Sequence, residues 1–227
     1  CSRARQLLFG VTSPITDGVV LSNESIVNRT SAGEVSLVPR AAVQLVGRHL
    51  LSDVLAAVTV ATRLGVSPQV MTEVISSFTG LEHTLELVGE VGSIRFINDS
   101  KATNVVAARS AIESFSKGLV PIIGGRFKGG SLSELGPALA TRAEAVVAIG
   151  ESRALVREAL SGVVKVHEVG TLSEAVRSAF TLAPPGGTVL LAPACSSFDM
   201  FRDYAERGRA FKQEVLRLTE EIKRARE

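Results

Sequence analysis

Ile94-Arg95-Phe96-Ile97 followed by Asn98-Asp99-Ser100-Lys101-Ala102-Thr103-Asn104 decides how this chain is read. The first four residues form a short apolar run, as a buried strand does. Val105-Val106-Ala107-Ala108 and Ala111-Ile112 then begin a helical pattern. Seven residues rich in hydroxyl, amide and charged groups therefore sit in one strand-to-helix turn. In open α/β sheets such turns lie at the carboxyl ends of strands, where ligands bind. The following helix offers unpaired N–H groups and a partial positive charge to an anion. Turn and cap chemistry alone explains any one of these residues; seven together ask for more.

The same alternation continues to the C-terminus. Strands are expected at 94–98, 119–123, 144–149, 163–168 and 188–192, and helices at 104–115, 131–140, 152–160, 171–182 and 199–222. Runs such as Val120-Pro121-Ile122-Ile123 and Ala145-Val146-Val147-Ala148-Ile149 are continuously apolar, as strands covered on both faces are. The fold class expected for residues 91–227 is α/β: a Rossmann-like, mostly parallel sheet with helices on both faces. Residues 1–90 read differently. Short strands near 7–11, 18–22, 25–28 and 34–38 precede an apolar helix at 50–64, and a second helix starts at Ser67-Pro68. A domain boundary is placed at 90/91.

Three strand ends of the second domain carry polar turns: 98–104, 124–130 (Gly-Gly-Arg-Phe-Lys-Gly-Gly) and 194–199 (Ala-Cys-Ser-Ser-Phe-Asp). In a parallel sheet all three share one edge. They bring a lysine, hydroxyls and helix N-termini to one crevice, which suits a small dicarboxylate. The glycine loop lacks the order of a Walker A motif, and no Gly-x-Gly-x-x-Gly occurs. Cys195 reads as a small buried hydrophobe, with no histidine spaced to activate it.

The bulk numbers exclude several classes. The 227 residues are 45% hydrophobic and 21% charged, ordinary for a globular protein. With 25 basic and 23 acidic residues the net charge is +2, which gives no case for nucleic acid or an anionic membrane. Two cysteines without a CxxC offer neither a disulfide framework nor a zinc motif, and a cytoplasmic location is expected. Apolar runs fall short of the ~20 residues of a membrane helix. The chain begins with Cys1 rather than Met, and residue 1 is read as the cut end of a longer protein.

Taken together, these segments resemble the Mur ligases, and most closely the branch that adds D-glutamate. The matching residues are Gly47-Arg48-His49, Phe78-Thr79-Gly80-Leu81 with His83 and Glu86, Phe96 to Asn104, Gly124-Gly125 with Lys128-Gly129, and Leu191 to Phe201 with Glu206-Arg207-Gly208. The resemblance implies that residues 1–90 are the tail of a central ATP-binding domain, its P-loop absent here. It implies that residues 91–227 are the amino-acid-binding domain. It implies an ATP- and Mg²⁺-dependent amide ligase that joins D-glutamate to UDP-N-acetylmuramoyl-L-alanine through an acyl phosphate, in a monomer.

By the same resemblance Thr103, Lys128, Ser197, Phe198 and Tyr204 hold D-glutamate, and Lys101 stabilises charge at the reaction. Asp99, Asp53, His83 and Asn104 face the nucleotide. The Mg²⁺ ligands are expected upstream of residue 1, so the chain alone is expected to be inactive. The chain departs from the family at Leu50, Asp53 and Thr84, all near the expected nucleotide. Another amide ligase of the superfamily, such as a folylpolyglutamate synthase, and a non-catalytic binding remnant stay open as alternatives.

Overall fold

A computed structural model describes residues 6–12 and 14–225. The expectation about Cys1 lies outside these residues. The chain divides into two compact bodies, residues 1–80 and 81–227.

In the first body, β1 (Phe9–Gly10) runs parallel to β2 (Gly18–Ser22). Strands β2, β3 (Ser25–Thr30) and β4 (Gly33–Pro39) form an antiparallel meander. The two-residue β2–β3 turn holds both Asn23 and Glu24 at positive φ (45° and 58°). That left-handed pair matches the twist of the strands it joins. Helices α1 (Arg48–Arg63) and α2 (Pro68–Ser77) supply Leu51, Leu55, Val58 and Met71 to a core with Val19, Ile26 and Val38. Ser67 caps α2 and Pro68 opens it, as the sequence suggests.

The second body is a six-stranded sheet in the order β5 (Glu86–Val91), β6 (Ile94–Asn98), β10 (Thr188–Leu191), β7 (Leu119–Gly124), β8 (Val146–Ile149), β9 (Val166–Glu168). All neighbours are parallel except the β5–β6 pair. Every residue of β7, β8 and β10 is buried, which accounts for their unbroken apolar sequences. On one face, α6 (Leu172–Leu182) and α7 (Tyr204–Arg224) pack Val176, Ala179, Phe211 and Val215 against Phe96, Ile122, Val147 and Val189. Helices α3 (Val105–Glu113), α4 (Gly136–Ala140) and α5 (Arg153–Leu160) follow β6, β7 and β8 in turn and serve the other face.

The two bodies divide at 80/81, ahead of the expected 90/91. Strand β5 hydrogen-bonds along β6 and so carries residues 86–91 into the second sheet. The helix expected at 131–140 is a 3₁₀ turn, Leu132–Leu135, leading into the short α4. Helix α7 starts at Tyr204 rather than 199, because Asp203 accepts the Glu206 N–H as its N-cap. The 163–168 strand shortens to β9. Among the described residues no helix is long and apolar enough to cross a membrane.

Helix α6 opens with a full capping box. The Thr171 hydroxyl accepts from Glu174 N–H, and the Glu174 carboxylate accepts from Thr171 N–H. Thr171→Ala is expected to destabilise the second body by about 1 kcal/mol, read as a fall of roughly 2–4 °C in its thermal midpoint. An unchanged midpoint would show that the cap contributes nothing there.

Candidate amino-acid site at the carboxyl edge of the sheet

The strand order places β10 between β6 and β7, so the three polar turns stand side by side at one sheet edge. The middle turn is tied to both neighbours. Ala194 N–H donates to Ala102 O at 3.0 Å, joining it to the first turn. Arg126 and Ser196 exchange two backbone hydrogen bonds (2.9 and 3.0 Å), joining it to the glycine loop. Ser196 Oγ adds a third, to Arg126 O at 2.9 Å.

Glycines permit this closeness. A Cβ on Gly124 (φ 134°) would lie 1.9 Å from Ile149 O, and one on Gly125 (φ 129°) 2.3 Å from Ser196 O. At Gly150 a Cβ would meet the Asp199 carboxylate at 2.4 Å. That carboxylate accepts from Glu151 N–H at 2.9 Å, tying the end of β8 to the same cluster.

Among the described residues Thr103, Lys128 and Ser197 make no side-chain hydrogen bond, and Lys101 and Lys128 make no ion pair. Thr103 is half-buried and Ser197 buried, while Lys101 and Lys128 are exposed. Phe198 and Tyr204 are exposed aromatics, at 63% and 39%. The residues expected to hold a dicarboxylate thus lie on the turns and first helix residue of one edge, with their polar groups uncommitted.

The residues expected at a nucleotide are placed differently. Asp99 is buried, and its Oδ1 accepts from Leu85 N–H at 3.2 Å. Burial raises its pKa to about 6, against the lowering influence of the Leu85 N–H and of Lys101. Asn104 Oδ1 caps α3 by accepting Ala107 N–H at 2.9 Å, the local role its type favours.

The His83 ring points inward, 3% exposed at a left-handed φ of 65°, over Gly208. Asn98 Nδ2 donates to His83 Nδ1 at 2.9 Å, which puts the ring proton on Nε2. Burial lowers the His83 pKa, so the ring is neutral at pH 7. Asp53 is exposed on α1 of the first body. The His83 ring is thus held by packing over Gly208, and the Asn104 side chain by its cap on α3.

Glu82, His83 and Glu86 cluster as a metal site would. Lys212 Nζ already lies 2.6 Å from Glu82 and 2.9 Å from Glu86, so an ammonium bridges the two carboxylates where a cation would sit. Cys195 is fully buried, and burial raises its thiol pKa, the opposite of an activated nucleophile.

Arg207 has no role in the sequence reading. It is 3% exposed on the first turn of α7. Its guanidinium donates to Ser100 Oγ (3.0 Å), Ser100 O (2.8 Å) and Cys195 O (3.1 Å). The sequence signal is Gly208 beside it: a glycine inside a helix costs stability unless packing demands it. Here a Cβ would strike the His83 ring at 2.3 Å.

Residues 85–195 match the family described as Mur ligase, glutamate ligase domain. Residues 85–195, just under half of the chain, thus carry the glutamate ligase domain of the Mur ligases. It is similar to the UDP-N-acetylmuramoylalanine–D-glutamate ligase of Chlorobaculum tepidum, 47% identical over 76% of this chain and 37% of that protein. The ligase of the same name from Koribacter versatilis is 39% identical over 98% of this chain and 49% of its own length. The chain spans about half the length, or less, of these curated relatives. Among solved structures, MurF from Acinetobacter baumannii matches with a TM-score of 0.65 at 20% identity, over 93% of this chain and 46% of that one. Mycobacterium tuberculosis folylpolyglutamate synthase, solved with ADP, matches with a TM-score of 0.60 at 16% identity, over 84% and 44%. These structural likenesses bear on the fold, an α/β architecture with a mostly parallel sheet.

Proposed function

We propose that this chain is the C-terminal part of an ATP-dependent amide ligase that adds D-glutamate to UDP-N-acetylmuramoyl-L-alanine. Residues 81–227 bind the amino acid, and residues 1–80 are the end of a central ATP-binding domain. The observation that carries the reading is the meeting of three polar turns on adjacent parallel strands, β6, β10 and β7, in a chain whose curated relatives bear that ligase's name.

A dicarboxylate suits the groups at this edge. Lys128 offers an ammonium, Thr103 and Ser197 offer hydroxyls, and α3 offers a helix N-terminus. Phe198 and Tyr204 flank them with apolar surface. The chain's task is to hold the D-glutamate amine in one place, with water excluded, so that it can add to the carbonyl carbon of an activated carboxyl. Lys101 carries positive charge toward the charge that develops there. ATP and Mg²⁺ supply the activation, and residues outside this chain hold the metal.

The test is phosphate release from ATP. A complete protein containing these residues is expected to release phosphate only when both co-substrates are present. Lys128→Ala in it should raise KM for D-glutamate about 10- to 100-fold, the loss of one charge-assisted hydrogen bond, and leave KM for ATP unchanged. The 227-residue chain alone is expected to release none. Phosphate release by this chain alone, or an unmoved KM in the variant, contradicts the reading.

A further inference from the structure

Arg207 is a cation in the protein interior without an ion-pair partner; Asp199 is near enough to act on its charge but does not bond it. Among the described residues no Asp or Glu forms an ion pair with it, and its three hydrogen bonds all go to neutral oxygens. Interior arginines are ordinarily paired, because a lone buried charge is costly to desolvate. Two features of the geometry say what this one does. Its acceptors belong to two different turns, Ser100 at the end of β6 and Cys195 at the end of β10. These are the turns that carry Thr103 and Ser197. Its charge, offset only in part by Asp199, also lies directly behind the sheet edge, where a doubly negative ligand gains most from it.

We propose that Arg207 is a positioning residue of the amino-acid site: it clamps the Ser100 and Cys195 turns together and sets a positive potential that favours a dicarboxylate over a monocarboxylate. It does not touch the ligand, being 3% exposed. The clamp stands on the structure alone; the preference for two carboxylates rests on the function proposed above. Ser100 Oγ donates in turn to Tyr204 O at 2.7 Å, so the same residue pair also seats the start of α7. Gly208 completes the arrangement by leaving room for the His83 ring, whose Asn98 partner accepts Ser100 N–H at 3.1 Å.

The test uses the 227-residue chain with Arg207→Gln and Arg207→Lys, read in two ways. Hydrogen exchange at Ala194 N–H, which bonds Ala102 O between the two turns, reports the clamp. In Arg207→Gln it should accelerate at least tenfold while the amides of β8 keep their protection. Titration with D-glutamate and with D-glutamine reports the charge. Arg207→Gln should weaken D-glutamate at least tenfold and D-glutamine by less, narrowing the ratio of the two dissociation constants. Arg207→Lys should keep that ratio, since it keeps the charge, yet still loosen Ala194, since one ammonium cannot span both turns as the fork does.

If Arg207→Gln fails to fold, Arg207→Lys alone carries both readouts. Unchanged Ala194 exchange in both variants overturns the clamp. An equal loss for the two ligands in Arg207→Gln, or a narrowed ratio in Arg207→Lys, overturns the charge role. Accelerated exchange with no D-glutamate binding by the unmodified chain upholds the clamp and overturns the D-glutamate reading.

Discussion

Gly124→Ala is expected to destabilise the second body by about 3–5 kcal/mol, enough to lower its thermal midpoint by roughly 6–20 °C. Two independent causes add. At φ 134° the backbone sits where essentially only glycine is comfortable. The new methyl would also stand 1.9 Å from Ile149 O, a backbone atom held in the β7–β8 pairing. A flexible side chain could swing away, but this carbonyl cannot move without opening the sheet. The same residue sits at the base of the glycine loop, so the damage reaches the Arg126–Ser196 bridge. Gly129→Ala makes the control. Its φ is also left-handed, at 100°, but nothing lies within 4 Å of its Cβ, so only the backbone cost of about 1–2 kcal/mol applies. Equal effects at the two positions would show that the close approach of β7 and β8 does not matter.

Asp99 gives the second large effect, one that depends on pH. Its carboxyl titrates at about 6 when folded, against an ordinary 3.8. Between those values the native state holds a proton that the unfolded chain has released. The stabilisation from protonated Asp99 is therefore complete below about pH 4 and lost as pH rises through 6, a change of about 3 kcal/mol. Asparagine keeps an oxygen to accept the Leu85 N–H and never ionises. The stability of Asp99→Asn minus that of the unmodified chain should be near zero at pH 4. It should climb to about 1–3 kcal/mol in favour of the variant by pH 8. Denaturant midpoints across that range measure it, and a difference that stays flat with pH would mean that Asp99 ionises as an exposed carboxyl does.

Most of the second body was legible because its strands announce themselves. Residues fully covered on both faces, such as Val120 to Ile123 and Val189 to Leu191, leave unbroken apolar runs. The parallel connections then force the polar turns to one edge. Two things were not legible. The insertion of β10 between β6 and β7 depends on which face each crossover helix takes, and no local residue records that. The edge strand β5 was also missed. It is half-exposed and broken by a register shift between Leu87 and Gly89, so its apolar pattern fades.

At the site, the turns were found by their crowding of hydroxyls, amides and charge. What a linear sequence could not show is which side chains turn inward. His83 looks like a surface ligand because histidine usually is polar and exposed. Only a three-dimensional neighbour, Gly208, more than a hundred residues away, shows that the ring has a socket. Arg207 hides among the other charges of α7, such as Glu206, Arg209 and Lys212. A helical pattern cannot tell a cation that turns into the interior from those that face water.

The proposed function requires the three strand-end turns to act as one site for D-glutamate. Titrating the isotopically labelled 227-residue chain with D-glutamate, while following backbone amides, tests it most directly. A single shared site should give saturable shifts at Thr103, Lys128 and Ser197 together, with a single dissociation constant and weaker effects from L-glutamate. Shifts confined to one turn, or found only outside all three, would contradict it.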